Sequence, residues 1–240
     1  MGKTQYITTA KKSSQKNNKL ITVVILCHSF VSRMKSFGNV AMIPISNSEK
    51  IIDRHINQVI KQIENVEIVV SIGYEAQRVR SYIQKKYSNI NIRCVENTNH
   101  ENSSICESLR IAINNTNNNR ILIISGNMIY DESILHNVIE NEATTALSAK
   151  NINSTLDVGV NIDQETNHIA HISYGLINHD WTELIYLNKD SQVNEIKKIL
   201  SRKESKNKIL YELLNMMIQK RIKIKYINTS SRIIKINNKE

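Results

Sequence analysis

The chain has 240 residues, 40% hydrophobic and 22% charged, which is enough to bury a core and too apolar for wholesale disorder. Its net charge of +10 favours an anionic partner such as nucleic acid, a nucleotide or an acidic protein surface. No apolar run approaches the ~18 residues needed to span a bilayer, residues 1–20 lack the apolar stretch of a secretory signal, and three scattered cysteines exclude a disulfide framework.

The expected setting is therefore reducing, intracellular and cytoplasmic, or a virus particle. About 40 isoleucines and about 30 asparagines stand beside 2 phenylalanines and 1 proline. Codons for Ile, Asn and Lys are A-rich, so genome bias explains much of this composition.

Residues 1–19 read as a basic, flexible arm. Lys11, Lys12, Lys16 and Lys19 lie there among Ser, Thr, Gln and Asn, a pattern that orders on an anionic partner. Residues 20–240 read as a single domain. Ile21 to Cys27 is nearly all apolar, as expected of a buried parallel strand. Residues 48–64 carry Ile51, Ile52, His55, Ile56, Val59, Ile60 and Ile63 at helical spacing. Val66 to Ile72 reads as a second strand, closed by Gly73. Glu75 to Tyr87 reads as a helix and Ile90 to Val95 as a third strand. Ser104 to Ile113 reads as a helix capped by Ser103 or Ser104. Arg120 to Ser125 reads as a fourth strand and Asp131 to Glu140 as a helix. This alternation predicts a three-layer α/β/α fold with a mainly parallel, Rossmann-like sheet and right-handed crossovers.

Beyond residue 142 the rhythm breaks. Short strands are expected at 143–149, 158–162 and 168–173, and helices at 190–200 and 205–221. Residues 220–226 alternate Lys with Ile222, Ile224 and Tyr226, which predicts an edge strand guarded by charge. Residues 233–236 close the chain with a last strand.

In α/β folds the loop after the first strand commonly holds phosphates. Here that loop, Cys27 to Met34, has no glycine before Gly38. Glycine lets backbone N–H groups approach a phosphate closely, and Val31 resists the positive φ such a cradle needs.

The run Leu26-Cys-His-Ser-Phe-Val-Ser-Arg-Met34 nevertheless aligns without a gap with L-A-A-G-x-G-S-R-M, the first motif of sugar-phosphate and phosphocholine nucleotidyltransferases. Glu67 to Tyr74 resembles that family's I-x-x-I-V-V-V-x-G-Y. Residues 96–109 resemble N-x-x-Y…N-x-x-S-L, and Leu122 to Tyr130 resembles L-I-x-x-G-D-x-x-F. Arg232 to Glu240 resembles W-x-E-I-D-T-x-E-D. The chain thus resembles this family, of GT-A-like fold, over residues 21–240 in order.

The resemblance implies a site whose key positions have changed. The two motif glycines, which wrap the nucleotide phosphates, are Ser29 and Val31. The motif arginine is kept as Arg33, and Gly126 is kept too. The lysine of P-K-x-L is Val40. The two aspartates that bind Mg²⁺ are Asn127 and Asn237. An Asn carbonyl can ligate Mg²⁺ but brings no negative charge, and loss of one transition-state stabiliser typically costs ~10²–10³ in rate. Nucleotide contacts, if kept, would fall to Arg33, His28 and Gly126.

Other groupings are weaker. His168 and His171 have H-x-x-H spacing, but strict strand alternation would put them on opposite faces. Asp180 reads as a helix N-cap and Trp181 as packing on that helix. Arg78, Arg80, Lys85 and Lys86 form a basic helical face that could meet a partner.

The expectation is a pseudoenzyme: a catalytically inactive nucleotidyltransferase-like protein with no cofactor, serving as a structural or interaction component of a larger assembly. A viral particle or a ribonucleoprotein would suit the charge, with the arm and basic patches as contacts and no membrane involvement. The alternative is an active, divergent enzyme making a CDP- or UDP-linked sugar or choline with Mg²⁺. It would need substitute ligands, of which Asp131, Glu132 and Glu240 are nearest in sequence.

Overall fold

The computed structural model describes residues 19–29, 36, 38–114, 116–149, 156–176 and 178–236. Twelve strands and six α-helices lie among them. In chain order they are β1 (Ile21–Cys27), α1 (Ile51–Gln62), β2 (Val66–Ile72), α2 (Ala76–Lys86), β3 (Ile92–Glu96), α3 (Ile105–Asn114), β4 (Ile121–Ser125), β5 (Met128–Tyr130), α4 (Glu132–Glu140), β6 (Thr145–Ala149), β7 (Val158–Asp163), β8 (His168–Tyr174), β9 (His179–Trp181), β10 (Leu184–Leu187), α5 (Asp190–Leu200), α6 (Leu210–Gln219), β11 (Tyr226–Thr229) and β12 (Ile233–Lys235).

The apolar runs form the central sheet, in the order β10-β4-β1-β2-β3. β1 to β4 are parallel, and β10 joins β4 antiparallel. The expected mixed α/β architecture with a mainly parallel sheet is present. Successive side chains of a strand face opposite sides, and β1 uses both. Val23, Ile25 and Cys27 enter one core with α1, α2 and α4. Val24 and Leu26 enter the other with α3, α5 and α6. A strand buried on both faces needs apolar residues throughout, which is why β1 shows no alternation.

Helix boundaries follow local chemistry. Ser104 caps α3, its Oγ accepting from the Cys106 N–H at 3.2 Å. Asp131 caps α4, accepting from the Ser133 N–H at 3.2 Å. Asp53, in the first turn of α1, accepts from the Lys50 N–H at 2.9 Å and from the hydroxyls of Tyr82 of α2 (2.7 Å) and of Tyr87 at its C-cap (2.8 Å). Lys86 completes the cluster at 2.9 Å. One buried carboxylate thus ties α1 to α2.

A second five-stranded sheet, β11-β6-β9-β7-β8, and a two-stranded ribbon, β12-β5, complete the fold. Several expectations for this half are corrected. Residues 220–225 are not a ladder strand. The Ile224 carbonyl accepts from the Ile169 N–H at 3.1 Å and the Lys225 carbonyl from the N–H groups of Thr144 (2.8 Å) and Thr145 (3.2 Å), but the regular strand begins at Tyr226. The α6 helix begins at Leu210 rather than residue 205, because residues 203–207 form a polar 3₁₀ turn. Asp180 and Trp181 lie in β9, not at a helix start.

The β7–β8 register shifts between Asn161 and Ile162. Ile169 and Ile172 are consequently both buried although three residues apart, so the strict alternation expected to separate His168 from His171 does not hold. Outer edge β8 is covered by Asn215 of α6. Its carboxamide accepts from the Ile172 N–H (3.0 Å) and donates to the Ile172 carbonyl (2.7 Å), satisfying an edge that would otherwise invite another strand.

Candidate active-site cleft

The parallel strands run in the order β4-β1-β2-β3, so the connections diverge from β1 and β4. Ligands of open α/β sheets bind beyond the carboxyl ends of strands at such a point. A cleft of about 330 Å³ lies there. Its floor is polar: His28 and Ser29 follow β1, and Ser125 and Asn127 flank the end of β4. Ser104 and Ile105 at the start of α3 form one side. Val158, Tyr174 and Trp181 of the second sheet face Leu210 and Tyr211 of α6. Tyr174 and Tyr211 meet edge to face, with centroids 5.3 Å apart.

Two residues at or beside the floor have steric roles. Gly126 brings the end of β4 against β1: a Cβ there would lie 2.3 Å from the Leu26 carbonyl oxygen and 2.6 Å from Cys27 Sγ. The Gly126 N–H donates to that same carbonyl at 2.9 Å. Close approach of two backbones therefore demands glycine here. Val40, at the family's lysine position, is buried in a short 3₁₀ turn and donates its N–H to the Ser29 carbonyl at 3.0 Å. It anchors the exposed Ser29 but offers no charge.

His28 is buried, and its Nδ1 has no hydrogen-bond partner among the described residues. Burial, aided by nearby His100, lowers its pKa to about 4, so the ring is neutral at physiological pH. His55 of α1 is likewise lowered to about 4, chiefly by burial. A histidine's ordinary value is near 6.5. Unfolded chains therefore bind more protons than the folded one between about pH 6.5 and 4, and stability should fall as pH drops through that window. Urea unfolding at stepped pH should show this slope, and His55→Leu should flatten it. A slope identical in that variant would count against a neutral, buried His55.

Asn127 occupies the position where the resemblance places a metal-binding carboxylate. Its Oδ1 accepts from Ser125 Oγ at 2.9 Å, and its Nδ2 donates to the Ile236 carbonyl at 3.3 Å. The Ile236 N–H in turn donates to the Asn127 carbonyl at 2.7 Å. The β5–β12 ribbon thus brings residues 127 and 236 together. Asn237, Val31 and Arg33 lie outside the described residues, as do Lys11, Lys12 and Lys16.

The sequence reading missed two charged residues of the cleft. Glu183 and Lys235 both line it and pair at 2.5 Å, with side chains only 13% and 15% exposed. Each is a lone charge in an apolar surround: Trp181 to Leu187 for one, Ile233 to Ile236 for the other. That isolation was the available signal.

Mg²⁺ does not fit the described residues, outside which Glu240 also lies. It requires hard, anionic oxygen ligands in near-octahedral array. Asn127 is neutral and hydrogen-bonded at both ends. Glu183 is already neutralised by Lys235. Asp131 is the cap of α4 and Glu132 pairs with Lys61 at 2.5 Å. Neither lines the cleft. No group of three potential metal ligands occurs among the described residues.

The basic face of α2 is largely paired within the chain. Arg78 meets Glu75 at 2.9 Å, Arg80 meets Glu96 at 2.7 Å, and Lys86 meets Asp53. Lys85 is exposed. Lys19 borders a second cavity, of about 350 Å³, at the opposite end of the central sheet with Leu20, Arg120 and Asp190. No helix among the described residues is long and apolar enough to cross a membrane.

Solved structures share this architecture. The inositol-1-phosphate CTP transferase from T. maritima superposes with a TM-score of 0.72 at 14% identity, over 90% of this chain and 89% of that one. This is the nucleotidyltransferase fold. A putative glucose-1-phosphate thymidylyltransferase from Bacillus anthracis gives 0.69 at 14% identity, over 90% and 89% of the two chains. CTP:phosphocholine cytidylyltransferase from Streptococcus pneumoniae gives 0.67 at 13% identity, over 90% and 93%. The resemblance drawn from the sequence motifs therefore holds for the nucleotidyltransferase-like chain at the level of fold. No family model and no curated sequence matches it.

Proposed function

We propose that this nucleotidyltransferase-like chain is a pseudoenzyme, one that keeps the cleft of its fold and does not catalyse nucleotidyl transfer. The observation that carries this reading is Asn127, a neutral side chain hydrogen-bonded at both ends where the chemistry calls for a metal-binding carboxylate. Val40 in place of a phosphate-binding lysine supports it, as does a cleft carboxylate already committed to Lys235. Transfer of a nucleotidyl group depends on positive charge around the phosphates as pyrophosphate leaves. The protein would then act by contact, as a component of an assembly with an anionic partner. The net charge of +10 and the lysines of residues 1–19 support that role.

The competing reading is an active enzyme that joins CTP or UTP to choline phosphate or a sugar phosphate with Mg²⁺. Retention of an open cleft at the ends of β1 and β4 favours it. One experiment separates the two. Purified protein is incubated with each NTP, Mg²⁺ and a panel of sugar phosphates and phosphocholine, and pyrophosphate release is followed. The expected result is no release above the protein-free control. Metal-dependent release with any pair would overturn the pseudoenzyme reading.

A further inference from the structure

The positive charge is not spread evenly along the chain. Residues 1–19 carry 5 Lys and no acid, and residues 189–225 carry 11 Lys and Arg against 4 Asp and Glu, whereas residues 21–188 carry 13 against 17. The two basic tracts meet at the end of the central sheet away from the cleft. Lys19 borders the cavity of about 350 Å³ there, with Arg120, Asn118, Asn188 and Asp190. The Asn118 carboxamide donates to the Leu20 carbonyl at 2.7 Å. The Asn188 carboxamide donates to the Glu142 carbonyl at 3.4 Å, and the Lys225 ammonium to the neighbouring Asn141 carbonyl at 2.7 Å. Residues 141 and 142 therefore join the rim of the cavity to the segment that follows α6.

In that segment Lys220, Arg221, Lys223 and Lys225 are exposed while Ile224 is buried. Guarding a sheet edge does not account for the first three, because the regular ladder begins only at Tyr226. Lys189, Lys220, Arg221 and Lys223 form no ion pair among the described residues. Arg221 also closes the turn after α6 at φ 61°, with its N–H on the Ile218 carbonyl (2.8 Å) and the Ile222 N–H on the Met217 carbonyl (3.1 Å). Glycine is the residue such a turn favours, so an exposed arginine is kept here at a cost in stability.

We infer that this face, opposite the cleft, binds the sugar–phosphate backbone of double-stranded nucleic acid without regard to base sequence. The inference rests on the reading of the chain as one that acts by contact with an anionic partner, and it names the surface and the partner. A stable protein interface needs an apolar core, and of the residues named here only Leu20, 41% exposed, offers large apolar surface. Single strands are held by stacking on aromatic side chains, and none of these residues is aromatic. Cations and carboxamides remain, the groups that bond phosphate oxygens and fix a protein on a duplex. Residues 1–18 add four lysines directly ahead of Lys19 in the chain.

The test is fluorescence anisotropy of labelled RNA and DNA duplexes of about 20 base pairs and mixed sequence, titrated with the full chain from about 50 to about 300 mM KCl. Binding of at least one duplex is expected, with log affinity falling linearly with log salt. Joint replacement Lys220→Gln, Arg221→Gln and Lys223→Gln should weaken it about tenfold or more and lower the slope by about 2–3, since each phosphate contact contributes about 0.9. The same charge removed elsewhere, by Lys85→Gln, Lys203→Gln and Lys206→Gln, should change affinity less than about threefold. Arg221→Gly alone should weaken binding while the melting temperature holds or rises, which keeps the test decisive if the triple variant folds poorly. The inference is overturned by no binding at about 10 μM protein in the lowest salt, by equal losses in both triple variants, or by tighter binding of single strands. Polyglutamate bound as tightly as the duplex would point to an acidic protein instead, and displacement of the duplex by millimolar CTP would place it in the cleft; either result also overturns it. Pyrophosphate release in the assay above would end the pseudoenzyme reading and leave this binding result standing, so the two failures are distinguishable.

Discussion

Asp53→Ala should destabilise the protein by about 3–5 kcal/mol, the usual consequence of removing one partner from a buried charge network. The side chain of Asp53 is 1% exposed. Its removal strands two tyrosine hydroxyls and the Lys50 N–H, and it also cuts the main polar tie between α1 and α2. Lys86→Met should cost far less, about 1 kcal/mol or below, because the lysine is 38% exposed and water replaces much of its role.

The cluster also sets an acid limit. Burial raises the Asp53 carboxyl, but hydrogen bonds from Lys86, Lys50, Tyr82 and Tyr87 outweigh this and hold its pKa below the ordinary value. A carboxylate depressed in the folded state contributes stability above its unfolded pKa and loses it as pH falls through the folded one. Its share should therefore persist through the window in which His28 and His55 act, and disappear only below about pH 4. Urea titrations of the parent and both variants check the ranking. A loss under about 1 kcal/mol for Asp53→Ala would refute the assigned role.

Trp181→Ala should cost about 3–5 kcal/mol. The indole is 2% exposed, packs among the residues around β7, β8 and α6, and donates Nε1–H to Thr145 Oγ1 at 3.0 Å. Thr145 Oγ1 in turn bonds the Leu184 carbonyl at 2.5 Å, so the indole is linked through β6 to β10 of the central sheet. Trp181→Phe keeps most of the volume and should lose about 1 kcal/mol, near the value of the hydrogen bond. Against a total stability of about 5–15 kcal/mol, the alanine variant should be close to unfolding at growth temperature. Far-UV circular dichroism is the proper readout, since the fluorophore is gone. A melting temperature unchanged in Trp181→Ala would mean that the second sheet does not depend on this contact.

The two halves of the fold differ in how much their sequence announces. β1, β2 and β4 are runs of five to seven residues buried on both faces, and the intervening helices show a clear apolar stripe. Strands β5 and β9 have three residues each, too short for any period to register. Their pairing is fixed by residues distant in the chain. The alternating run 220–226 satisfies the strand pattern, yet its place is set by packing: Ile224 is buried and the regular ladder begins only at Tyr226.

The cleft was legible where it follows motifs, at His28, Ser29 and Asn127, with Gly126 beside it. Gly126 shows the limit of that reading, because the approach of β4 to β1 already requires glycine there without any nucleotide. Glu183 lies in no motif, and Lys235 lies in the closing one at a position to which the resemblance assigns no role. Their meaning arises only when β12 meets β5.

That meeting has a consequence for how the protein is made. Asn127 and Ile236 lie 109 residues apart, so β5 leaves the ribosome long before the strand that completes it. Until then Met128 and Tyr130, buried in the finished molecule, have an open edge, and contacts of such long sequence separation form slowly. The central sheet can assemble while the nascent chain is still growing, but the ribbon cannot. The charge that Lys235 brings to the cleft is therefore in place only once synthesis has passed β12.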